Sequence, residues 1–177
     1  MSRVPVREAL NQLQAEGFID IAPNRGASVV KFSINDVSNL YDVLIGLEST
    51  ACRLACRNIT DGQILKLEEY QFMIDRTFES KDWELFIELN MQFHMFITET
   101  ANNPYLVDIR KKFRGLIDRF ARFSPFIPEQ LKATREEHPR IIEGLKSRNP
   151  AMAEFATREH LENAKQLMLK YFKRKEA

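Results

Sequence analysis

No stretch of the 177 residues approaches the ~18 consecutive apolar positions of a membrane span, and no secretory signal precedes the first motif. The expected compartment is the cytoplasm, with no membrane partner. Cysteine is scarce. Cys52 and Cys56 stand one helical turn apart and read as buried, reduced thiols, with a metal pair as the other option. Charge of one sign is missing too. With 26 basic and 25 acidic residues the formal net charge is +1, so no global field announces a nucleic acid. No nucleophile motif, phosphate-binding loop or internal repeat appears. Histidine is rare as well, with three in the chain.

What is present describes a globular protein, at 44% hydrophobic and 29% charged residues. The length suits one core of normal size with a small appendage. Residues 2–30, SRVPVREALNQLQAEGFIDIAPNRGASVV, predict a helix followed by a hairpin. Ser2 can N-cap the helix, and Pro5 falls in its first turn, where the missing N–H costs little. Val6, Ala9, Leu10 and Leu13 share one face, while Arg3, Arg7 and Asn11 recur every four residues on the other. Gly17 ends the helix. Two short β-rich runs flank the turn tetrad Pro23-Asn24-Arg25-Gly26. Such a helix suits a major groove and an arginine at a hairpin tip suits phosphate or the minor groove. An ordinary amphipathic helix and hairpin would read the same way.

SRVPVREAL, then L-x-A-E-G, then P-N-R-G-A resembles the GntR family of bacterial transcription regulators. The resemblance implies a recognition helix and wing, with DNA contacts at Ser2, Arg3, Pro5, Arg7, Arg25 and Gly26. Family members carry two further helices and a strand ahead of this point. The expectation for residues 1–31 is therefore a partial winged helix-turn-helix, whose Val6, Leu10 and Leu13 face would need those helices behind it.

From Ser33 onward the periodicity is helical. Ser33 with Asp36 marks a start, followed by a stripe from Val37 through Leu40, Leu44 and Leu47 to Leu54. Thr60 with Gln63 starts a second helix, and a third runs from near Asp82 to about Ala101. Asn102-Asn103-Pro104 opens a fourth that carries Leu106, Ile109, Phe113 and Phe120. Pro125 and Pro128 break the chain, a fifth helix reaches about Lys146, and Asn149-Pro150 opens the last. Six amphipathic helices with short loops predict an all-α antiparallel bundle over residues 32–177.

His94, His138 and His160 fall on helices three, five and six, each among apolar neighbours. Asn90 lies one turn before His94 on the same face. A lone histidine of this kind is usually a satisfied core residue. Three together need partners for their ring nitrogens, and one transition metal would serve all three.

F-I-E-L-N-M-Q-F-H, A-N-N-P-Y-L, E-E-H-P-R-I-I-E-G-L and E-H-L resemble successive motifs of the C-terminal FCD-type domain of the FadR subfamily. That resemblance implies an effector-binding, dimerising helical domain. It also implies a divalent metal, zinc or nickel foremost, held at Asn90, His94, His138 and His160, and a small organic acid bound over it. Asn90 stands where metal-binding relatives carry aspartate, so the ligands bring no negative charge. Leu44 stands where many relatives place an arginine toward the effector. Arg119 and Arg122 are the candidate replacements, and otherwise solvated surface residues.

The expected function is a ligand-responsive transcription regulator, acting as a homodimer on a DNA operator and not as an enzyme. A truncated regulator that senses and dimerises without specific DNA binding is the alternative. A three-histidine metalloenzyme needs an aimed general base as well. Glu137 and Glu159 adjoin His138 and His160, but neighbours on a helix point about 100° apart.

Overall fold

The computed structural model describes residues 3–15, 19–22, 26–29 and 33–176. Helix α1 (Arg3–Ala15) is followed by strands β1 (Ile19–Ala22) and β2 (Gly26–Val29), which pair antiparallel with Ile19 opposite Val29 and Ala22 opposite Gly26. Gly26 has φ 76°, a left-handed value that suits glycine where the chain re-enters the hairpin. Pro5, Arg7 and Gly26 are exposed. Ser2 and Arg25 lie outside the described residues. The apolar face of α1 is only partly covered, with Leu10 half-buried and Val6 59% and Leu13 39% exposed.

Seven helices and one 3-10 turn follow. α2 (Ile34–Asn58) and α3 (Asp61–Ser80) both begin with reciprocal capping boxes, Ser33 with Asp36 and Thr60 with Gln63. Each box satisfies two N–H groups that a helix start otherwise leaves open. Asp82 caps α4 (Trp83–Thr100) by accepting from Leu85 N. Asn103 accepts from the amides of Tyr105 and Leu106 to start α5 (Pro104–Lys112).

The fourth expected helix is broken in two. α5 stops at Lys112, Phe113 adopts φ −87° and ψ −3°, and α6 (Arg114–Ala121) begins next. Gly115, a weak helix former, sits just past the break and lowers the cost of interrupting the ladder there. A 3-10 turn over Ser124–Phe126 leads to α7 (Pro128–Lys146), and Asn149 accepts from Met152 N at the start of α8 (Pro150–Glu176).

α8 packs along both α2 and α7, while α3 packs on α4 and α7. The α7–α8 seam is tight. A Cβ on Gly144 would lie 2.7 Å from the backbone of Ala153, so only glycine allows this approach. The stripes of the helices meet in two apolar clusters. One joins Cys52, Leu67, Ile74, Phe93, Ile141 and Leu145; the other joins Val37, Leu40, Leu44, Phe120, Ala164 and Met168. Trp83 packs edge-on against Phe78 and Phe86. Cys52 and Cys56 are buried free thiols, and burial pushes Cys52 up to about 12. No helix among the described residues is long and apolar enough to cross a membrane.

Candidate metal centre

Three helices bring the histidines together. His94 on α4, His138 on α7 and His160 on α8 are all buried, with ring centroids 4.8–5.2 Å apart. One nitrogen from each lies within 4.8 Å of the others. A transition ion at the usual ~2.0–2.1 Å bond length reaches all three once the rings turn toward it.

The other ring nitrogens are mostly taken. His94 Nδ1 lies 2.8 Å from Glu48 Oε2 on α2, and His160 Nδ1 lies 2.8 Å from Glu137 Oε2 on α7. The His160 contact is a hydrogen bond, and a carboxylate only accepts, so the hydrogen sits on His160 Nδ1 and Nε2 is left as the metal-binding atom. The His94 contact is a close ion-pair approach in which Glu48 Oε2 makes no hydrogen bond of good geometry. His138 is different. It is fully buried, neither of its nitrogens has a partner among the described residues, and its ring stacks on Phe93 at 4.1 Å and 6°. Asn90 Oδ1 is also buried without a partner, one turn before His94. Orphaned polar atoms in an interior cost roughly 1–3 kcal/mol each. Three imidazoles form a donor set that a divalent transition ion would satisfy, and Asn90 lines the same cavity as His94 and His160.

Burial lowers the pKa of His94, although Glu48 partly opposes the shift. Burial, then repulsion from His160 and His94, takes His138 well below its ordinary 6.5. His138 is thus neutral at neutral pH, the form that coordinates metal. Burial works to raise the carboxyl of Glu48, but the Arg110 guanidinium and His94 outweigh it and hold it at about 2.

A cavity of about 70 Å³ adjoins these residues, lined in part by Leu44, Glu48, Asn90, His94, Arg110 and His160. Arg110, on α5, is buried, with Nε 3.0 Å from Glu48 Oε1. Arg119 is half-buried on α6. Arg122 is exposed and pairs with Asp118 at 3.2 Å. Neither borders the cavity; the guanidinium that does is that of Arg110. Glu48, Arg110 and Glu137 were not singled out as site residues by the sequence. Glu137 faces away from its neighbour His138, as the helical offset requires, but α8 crosses where it points.

The FCD domain profile matches residues 39–163, most of the chain and all of the histidine cluster. The chain belongs to the FCD-domain family. Among its relatives, the HTH-type transcriptional repressor RspR of Escherichia coli strain K12 is 32% identical over 167 residues, covering 92% of this chain and 71% of that protein. The Nta operon transcriptional regulator of Aminobacter aminovorans is 32% identical over 149 residues, 84% of this chain and 69% of that one. The solved structure of E. coli McbR/YncC superposes with a TM-score of 0.81 at 20% identity, covering 97% of this chain and 87% of that chain. The chain thus carries an FCD domain behind a winged helix-turn-helix-like element, and the curated proteins it is similar to are transcription regulators.

Proposed function

We propose that the protein is a ligand-responsive transcription regulator of the FadR subfamily. Residues 1–31 serve as its DNA-reading part and residues 32–177 as its effector-binding, dimerising part. In this reading a divalent transition metal, zinc or nickel, is held by His94, His138 and His160 with Asn90 beside them, and a small organic acid binds over it. The observation that carries the reading is His138, fully buried with both ring nitrogens unpartnered at the point where two other imidazoles converge.

When bound, the metal supplies a Lewis-acidic position for an anion. Three neutral imidazoles and an amide leave its charge uncompensated, which favours a carboxylate at an open position. The cavity is small, and Arg110 offers it a second cationic contact. Arg119 and Arg122 would have to move inward to take part. On the DNA side, Arg3 and Arg7 recur one turn apart on α1, and Arg25 and Gly26 belong to the wing. A dimer would place two such heads on two half-sites. Effector binding shifts their arrangement only as far as its affinity differs between the two states.

The deciding experiment is metal analysis of the purified protein, with a thermal-shift screen of small hydroxy acids and dicarboxylates. The expected result is close to one transition ion per chain, loss of the ion in His138→Ala, and a stabilising acid whose effect disappears with chelator. Wild-type metal content in the His138→Ala variant would overturn the assignment.

A further inference from the structure

The two carboxylates behind the histidines are not equivalent. Glu48 Oε1 accepts from the buried Arg110, 3.0 Å away, so its negative charge is largely answered by a guanidinium. Glu137 has no such arrangement at Oε1, which accepts from the neutral amide of Asn163 at 2.6 Å. Its Oε2 lies 2.8 Å from His160 Nδ1. The dipeptide Glu137-His138 therefore serves the cluster twice. His138 points into it directly, and Glu137 reaches across the α7–α8 seam to fix the ring of His160.

We propose that Glu137 is the positioning residue of the metal centre, orienting His160 and supplying from outside the ligand set the negative charge that Asn90 does not bring. The inference rests on the metal reading above. Its physical basis is general. A carboxylate accepting the far N–H of a ligating imidazole sets the tautomer and ring angle and makes the bound nitrogen more basic. The Glu137 side chain is 19% exposed, so its charge acts on the ion at short range through partial screening only. Glu48 approaches His94 Nδ1 at 2.8 Å without a hydrogen bond of good geometry, and Arg110 cancels most of its charge.

The chain contains its own control. Glu159 precedes His160 as Glu137 precedes His138, but it is exposed and pairs with no histidine. Zinc affinity is measured by competition with a chromophoric chelator, and site geometry by the visible absorbance of the cobalt(II) form. Glu137→Gln is expected to weaken zinc about 10–100-fold and to change the cobalt spectrum. Glu159→Gln, with the same change of charge, should leave both as in the wild type. Glu137→Gln with Asn90→Asp should recover most of the loss, because the negative charge returns at a different atom. Melts of the metal-free variants report folding separately, and affinity is counted per folded chain.

Wild-type affinity in Glu137→Gln would overturn the inference while leaving the metal reading intact. So would an equal loss in Glu159→Gln, or a double variant no tighter than Glu137→Gln alone. A wild-type protein that takes up no metal would overturn both readings.

Discussion

Around Leu89, Ile141, Leu145 and Ala153 the interior of the bundle is apolar and closed, whereas around His94, His138 and His160 it is just as buried and full of polar atoms. The same helices build both regions. Phe93 precedes His94 on α4, and Ile141 lies one turn beyond His138 on α7. In the first region, burial of apolar surface stabilises the fold by about 25 cal/mol per Å² and needs no other explanation. In the second, burial opposes stability, since His138 and Asn90 carry polar atoms that left water without finding a partner. The apolar region can hold the helices together, which leaves the polar region free to be shaped by binding. A costly arrangement inside a well-packed frame marks the site more clearly than any surface feature.

The largest effect separates the two regions outright. Leu145→Ala should cost about 2–5 kcal/mol in denaturant melts, because a fully buried side chain leaves a cavity behind. Metal content per folded chain should stay as it was; a fall would mean that the regions are not independent. Gly144→Ala tests the seam they share. The new methyl meets Ala153 backbone that cannot swing aside, for a cost of about 1–3 kcal/mol. Metal affinity should drop with it, since α7 and α8 carry His138 and His160.

His138→Leu should act in opposite directions on the two properties. Metal binding is lost, while the metal-free protein gains about 1–3 kcal/mol, because two orphaned nitrogens give way to an apolar group of similar size. A metal-free variant that melts lower than the wild type would contradict the cost assigned to that histidine.

The smallest effect is in pH. The His138 value is depressed on folding, so below its ordinary 6.5 the unfolded chain takes up a proton that the folded one refuses. Stability conferred by the neutral form is therefore present above that value and declines as acid is added. Metal-free protein melted between about pH 7.5 and 5 should lose stability, and His138→Leu should lose less. Equal losses would assign the acid sensitivity to other groups.

Much of this was legible because it is local. Ser33 with Asp36, Thr60 with Gln63 and Asn103-Pro104 act through hydrogen bonds three residues or fewer apart, and all three start helices where expected. The histidines stood out because so few were scattered over separate apolar stripes. Glu48 was hidden by the opposite circumstance, a lone acid inside the stripe of α2 whose partners, His94 and Arg110, are 46 and 62 residues away. Arg110 opens the basic run Arg110-Lys111-Lys112, which looks like a solvated helix end until α5 is placed against α2 and α4. Glu137 needed the position of α8, which periodicity within α7 cannot supply.

The packing of α2 against α8 carries a consequence in time. These are the first and last helices of the bundle, and most of the chain must be looped between them before they meet. Closing long loops costs entropy before the contact repays it, so pairings between distant segments slow folding. α7 and α8 are joined by a short connection and can pair early, bringing His138 near His160. Glu48, which lies beside His94 Nδ1, comes from α2 and arrives with the final closure. An ion held by α4, α7 and α8 would therefore gain its full grip only after the rate-limiting step of folding, and would act mainly by slowing unfolding.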